Sequence, residues 1–145
     1  TLKIFGWRYD GYVARLNSVS SFFSHNMALL EPAVRQDLFN RERPVYTKVK
    51  DEVSARYGAD AEARNAMLAD GCDIDGRVEN SILFRGVRVG RGAIVRNSIL
   101  MQGVTVGDGC VLDHVVLDKG AVLRDGRTIV GYEGFPIILK KNAVV

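Results

Sequence analysis

Apolar residues in the second half of the chain recur neither at helical spacing nor in plain alternation. Val89, Val95, Met101, Val106, Leu112, Leu117 and Leu123 follow one another at intervals of five or six residues. A hexapeptide period predicts one short strand and one turn per hexad, with three hexads closing a triangular coil. A flat coil buries little by itself, so the pattern also predicts stacked coils around a shared apolar core.

A longer repeat lies over this period. Residues 78–94, VENSILFRGVRVGRGAI, and residues 95–111, VRNSILMQGVTVGDGCV, agree at ten positions without a gap. A third unit from Leu112 keeps Leu117, Gly120 and Gly126 in register, and upstream the stretch 63–77 follows the same plan two residues shorter. A sandwich of short strands has no need of such a register. The expected fold is therefore mainly β, a single-stranded parallel β-helix with about four coils between Ala63 and Ile129. Val89, Val95, Val106 and Leu117 are expected to point inward. Gly86, Gly90, Gly92, Gly103, Gly107 and Gly109 mark turns that need φ > 0 or close packing. Asn80 and Asn97, one coil apart, are placed to form a side-chain ladder. Phe135–Leu139 returns to a strand-like pattern, as a last rung or a cap.

Residues 1–43 follow other rules. LKIFGWRYDGYVARL predicts two short strands around a turn. In the stretch after it Phe22, Phe23, Met27 and Leu30 fall at helical spacing, with Asn17 or Ser18 as N-cap, and that stripe predicts core packing. Pro32 predicts the start of a second short helix in which Val34, Leu38 and Phe39 pack. Residues 44–62 form a charged linker, in which PVYTKV leaves a docking strand open, and 63–145 form the β-helix.

Charge and cysteine content narrow the function. The net charge is +3, but basic residues are interspersed with acids and form no stripe for nucleic acid. Small anions remain possible ligands. Cys72 and Cys110 lie in apolar surroundings without metal spacing, which predicts small buried side chains, no metal site and a reducing cytoplasm. No signal peptide or run of 18 apolar residues occurs, so no membrane partner is expected. The chain opens at Thr1 directly on a strand-like stretch, as a piece of a longer protein would.

NMALLEP, LFNRERPVYTKVKDEVSARYG and VENSILFRGVRVGRGAIVRNSILMQG together resemble the C-terminal part of the bacterial ADP-glucose pyrophosphorylases (glucose-1-phosphate adenylyltransferases), over essentially the whole chain. The resemblance implies a left-handed β-helix, preceded in residues 1–43 by a short α/β remnant of a nucleotidyltransferase domain. Members of this family make ADP-glucose from ATP and glucose 1-phosphate with Mg²⁺, for glycogen or starch synthesis, and work as tetramers. Their β-helix contributes to subunit contacts and allosteric control. Their nucleotide-binding motif and most catalytic residues lie in the N-terminal domain, so no catalytic, cofactor-binding or metal-binding residue is expected in this chain.

Catalytic members carry Y-W-x-D-V-G-T just before the NM of the helix, with the aspartate as a metal ligand. The matching stretch here runs from Tyr12 to Ser18 and puts Arg15 at the aspartate position, Asn17 at the glycine and Ser18 at the threonine. A guanidinium has no acceptor atom, so Arg15 marks a lost metal-ligand position. This departure is similar to the non-catalytic GlgD branch of the family, in which the expected partner is a catalytic subunit of a hetero-oligomer; a homo-oligomer stays open. Lys119 in LDKGAV and Lys141 in KKNAVV match activator-binding lysines of plant relatives, which implies a sugar-phosphate or phosphoglycerate effector. The plainer reading is two solvent-facing turn lysines, and it applies more strongly to Arg85, Arg88 and Arg91. Two alternatives stay open. One is a fragment of a catalytic subunit. The other is a hexapeptide acyltransferase, for which His25 and His114 are the only candidate bases, His114 with Asp113 and Asp118 close in sequence.

Overall fold

A computed structural model describes residues 2–47 and 50–145. From Arg56 onward the backbone forms a solenoid of fifteen strands. The first coil contains β1 (Arg56–Tyr57), β2 (Glu62–Arg64) and β3 (Met67–Leu68). The second contains β4 (Asp73–Ile74), β5 (Arg77–Glu79) and β6 (Ile82–Leu83), and the third β7 (Arg88–Val89), β8 (Ile94–Arg96) and β9 (Ile99–Leu100). The fourth contains β10 (Thr105–Val106), β11 (Val111–Asp113) and β12 (Val115–Leu117), and the fifth β13 (Val122–Leu123), β14 (Thr128–Val130) and β15 (Ile137–Leu139). The coils begin seven residues before Ala63, because Arg56 and Tyr57 already pair with Asp73 and Ile74.

Every third strand stacks in parallel, giving three five-stranded sheets. Sheet 1 holds β1, β4, β7, β10 and β13; sheet 2 holds β2, β5, β8, β11 and β14; sheet 3 holds β3, β6, β9, β12 and β15. Val78, Val95, Leu112 and Ile129 stand in one column at the 17-residue repeat. This is the left-handed parallel β-helix of the hexapeptide-repeat class. Ile74, Val89, Val106, Val78, Val95, Leu112, Leu83, Leu100 and Leu117 fill its interior and are essentially without solvent contact. Cys72 and Cys110 are free thiols in this core, and each donates to a backbone carbonyl, of Phe84 and Arg124. Burial pushes the Cys72 thiol up from its ordinary range, only partly offset by backbone hydrogen bonds.

The two residues missing from the second coil come out of the turn between β4 and β5. Ile74 is followed after only Asp75 and Gly76 by Arg77, where the next coil has four residues between Val89 and Ile94. Gly76 is tucked so closely that a Cβ there would stand 2.5 Å from the Ala93 carbonyl oxygen. The fifth coil is longer instead: Tyr132 and Phe135 close a turn before β15, and Ala143–Val145 starts to pair beyond β13. Phe135–Leu139 thus contributes a last rung.

Helix α1 (Val19–Ala28) begins at Ser18, which caps it in a capping box with Ser21. Helix α2 (Pro32–Leu38) starts at Pro32, as expected. The leading segment departs from the expectation. Residues 2–17 contain no strand, and Leu2, Ile4, Phe5 and Trp7 are exposed. A strand needs a neighbouring backbone to pair with, and among the described residues this segment has none; its hydrogen bonds run through side chains, as from Tyr12 N–H to Asp37 at 2.6 Å. Leu38 and Phe39 are likewise exposed rather than packed. In the PVYTKV stretch, Pro44–Thr47 forms no strand and the next two residues lie outside those described.

Candidate functional site

The surface of the solenoid is organised by its three corners and three flat faces. Each corner repeats one turn, so side chains of the same turn position stack in columns.

The corner leading from sheet 2 to sheet 3 holds Asn65, Asn80, Asn97 and His114, all with φ between 44° and 51°. This left-handed conformation is tolerated by asparagine through local hydrogen bonding. Asn65 donates to Asn80 at 2.9 Å, Asn80 to Asn97 at 3.5 Å, and Asn97 to Asp113 at 2.9 Å. The expected ladder is present and ends on an acid. The neighbouring Ser81 and Ser98 are fully buried: Ser98 N–H donates to the Ser81 hydroxyl at 3.1 Å, and Val115 N–H donates to the Ser98 hydroxyl at 3.1 Å. Nothing in the repeat pattern marked these two serines as a bond from coil to coil. Burial pushes the Asp113 carboxyl up, but hydrogen bonds from Asn97 and Arg96 and the nearby Arg96 and His114 outweigh it. The group is held below the usual carboxylate range.

His114 occupies the asparagine position of this corner. Its Nδ1 lies 2.7 Å from Asp113, and its ring lies against Phe23 of α1 at 6.1 Å between centroids. His25 sits on α1 with Nδ1 2.8 Å from the Tyr12 hydroxyl. The fold therefore gives both histidines partners that pack the helix, and does not bring them together.

The outer face of sheet 3 carries α1. Phe23 is 4% exposed and clusters with Ile99 and Val116, flanked by Phe22 and Met27. In the repeated N-S-I-L, the leucine enters the solenoid core and the isoleucine faces outward toward the helix. The helical stripe signalled core packing, but nothing in it said that the partner would be this face.

The corner from sheet 3 into the next coil holds Asp70, Arg85, Gln102, Lys119 and Lys141. Gly86, Gly103, Gly120 and Asn142 each donate a backbone N–H to the carbonyl one coil back, of Asp70, Arg85, Gln102 and Lys119. Lys119 and Lys141, 22 residues apart, thus occupy the same turn of successive coils, and both are exposed. By contrast Arg85, Arg88 and Arg91 are dispersed around one coil. Arg88 faces out of sheet 1, while Arg85 and Arg91 stand at the corners on either side.

Arg15 lies on the exposed leading segment. Asp10 pairs with Arg8 at 2.7 Å. No group of three or more His, Cys, Asp or Glu side chains placed to hold a metal exists among the described residues. Arg15 itself has no acceptor atom and so does not fit as a ligand to the Mg²⁺ of catalytic family members. Among the described residues no helix is long and apolar enough to cross a membrane.

The sequence model of the GlmU-like C-terminal hexapeptide family matches residues 49–134, more than half of the chain. The chain belongs to that family. Its most similar relatives include two proteins described as glycogen biosynthesis protein GlgD. The one from Bacillus subtilis is 44% identical over 91 residues, 63% of this chain and 26% of the relative. The one from Geobacillus stearothermophilus is 49% identical over 70 residues, 48% of this chain and 20% of the relative. A glucose-1-phosphate adenylyltransferase from Geobacillus stearothermophilus is 34% identical over 92 residues, 63% of this chain and 24% of the relative. The chain thus spans about a quarter of the length of the relatives it matches. The resemblance to the ADP-glucose pyrophosphorylase group, nearest the GlgD branch, stands on these matches.

Proposed function

We propose that this chain is the C-terminal assembly and regulatory domain of a glucose-1-phosphate adenylyltransferase-family subunit in glycogen biosynthesis, of the GlgD type. The observation that carries the reading is the higher identity to the GlgD relatives than to the adenylyltransferase, 44% and 49% against 34%. Arg15 at the metal-ligand position agrees with it. The β-helix is a rigid rod whose flat faces suit subunit contacts, and the partner is a catalytic subunit of the same family. The chain itself holds no cofactor, and the assembly works in the cytoplasm. The stacked pair Lys119 and Lys141 is the proposed effector contact, for a sugar phosphate or phosphoglycerate. Two ammonium groups on adjacent coils, separated by a spacing on the order of 5 Å, can share one phosphate or carboxylate. Binding there biases the orientation of the attached domain and so the partner's site.

The test is ADP-glucose formation by the full-length parent protein, alone and mixed with a catalytic subunit. Little activity alone and an altered effector response in the mixture are expected. Strong activity of the parent alone overturns the regulatory reading in favour of a catalytic subunit.

A further inference from the structure

The outer face of sheet 2 is uncovered by either helix and carries an ordered column of charge. The third residues of β2, β5, β8 and β11 are Arg64, Glu79, Arg96 and Asp113, stacked in register. Signs alternate up the column, which favours the stacking itself. The column is also antisymmetric about its centre. If a second copy is turned by a two-fold axis along the strand direction, between the second and third coils, every charge in the column meets its opposite. Arg64 faces Asp113 of the other copy, and Glu79 faces Arg96.

The in-chain bonding leaves this possible. Arg96 turns to Asp113 at 2.7 Å, and Glu79 turns to Arg77 at 3.5 Å. The two central charges, Glu79 and Arg96, form no ion pair with each other within the chain. Beside them stands Ile94, 36% exposed, which the same axis places opposite the aliphatic stem of Arg77. Each copy therefore offers the central charges a second counter-charge, with an apolar contact next to it.

We infer that the sheet 2 face is a self-complementary contact surface whose occupant is a second copy of this chain, inverted along the solenoid axis, with Glu79 opposite Arg96. An isologous contact of this kind closes at two copies. The face is narrow, three residues wide with coils about 4.8 Å apart, well short of the roughly 800 Å² per partner of a standard interface. The dimer is therefore weak and salt-sensitive. It requires no regulatory role, and its failure leaves the proposed function standing.

Sedimentation equilibrium of the 145-residue chain at low salt tests it. The unaltered chain forms a reversible dimer that weakens as salt is added. Glu79→Arg alone and Arg96→Glu alone each weaken dimerisation on the order of tenfold or more, because like charges then face across the axis. An equal mixture of the two variants recovers association, since the surplus sign of each then faces the other. Both changes in one chain also restore the dimer; because they place like charges beside Arg64 and beside Asp113 in the column, circular dichroism of this and of each single variant is recorded to show an intact fold. A chain that stays monomeric throughout, single variants that dimerise as well as the original, or a mixture that remains monomeric overturns the inference.

Discussion

Lys119 and Lys141 stand 22 residues apart in the chain and one coil apart in space, with the Asn142 N–H bonded to the Lys119 carbonyl at 2.9 Å. Neighbouring positions tie the same two coils together, Leu117 pairing with Leu139 and Val122 with Val144. In the proposed function, two lysines held this way act on one anion as a unit. Lys119→Ala and Lys141→Ala are each expected to raise the effector concentration for half response on the order of tenfold. The double variant is expected to lose little more than either single one, because both serve one ligand. The measurement is ADP-glucose synthesis by the full-length parent with a catalytic subunit, titrated with phosphoglycerate, beside circular dichroism to show an intact fold. Unchanged response in both single variants removes the pair as an effector contact.

Gly76 is the tightest point of the short coil. A Cβ there would lie 2.5 Å from the Ala93 carbonyl oxygen and 2.6 Å from that of Gly90, and both are backbone atoms that yield only by moving a coil. Gly76→Ala is expected to cost about 1–3 kcal/mol. Gly134 has open space around it, so Gly134→Ala is the control and should leave the melting temperature nearly unchanged. Equal melting temperatures for both variants would contradict the packing described at Gly76.

Asp113 ties stability to pH. Its folded-state carboxyl is held below the ordinary range, so the linked stability is fully present above the unfolded value of about 3.9. It is lost as pH falls from there through the lowered folded value. Thermal melts across acid pH should show this loss in the unaltered chain and a shallower acid limb in Asp113→Asn. Parallel acid limbs for the two would show that the ladder's terminal acid contributes nothing to the pH dependence.

Phe23 holds α1 to the solenoid. Truncating a buried phenylalanine typically costs about 3–5 kcal/mol. A small cluster, Phe23 with Ile99 and Val116 and flanked by Phe22 and Met27, anchors this helix on the outside of the solenoid, so the cost falls on docking rather than on the coils. Phe23→Ala is therefore expected to speed proteolytic cleavage within Val19–Ala28 while the main melting transition of the β-helix stays in place. A loss of the whole transition would mean that helix and solenoid unfold as one unit.

The hexad period by itself determined the coil, the inward Val89, Val95, Val106 and Leu117, the turn positions and the asparagine ladder. These follow because each strand and turn is local, and translation by one repeat makes every neighbour contact the same. Arg15 and the two lysines were legible only by matching motifs. What lies across the solenoid was not legible. The outward isoleucine of N-S-I-L was indistinguishable from a core residue until Phe23 was seen against Ile99. The strands expected in residues 2–17 are absent, and the coils begin earlier, at Arg56. The pairing of Lys119 with Lys141 depended on a fifth coil five residues longer than the repeat. The tertiary structure decided these points because each is set by a partner distant in sequence. Local pattern states that a residue wants burial or pairing, and only the assembled chain supplies the surface that provides it.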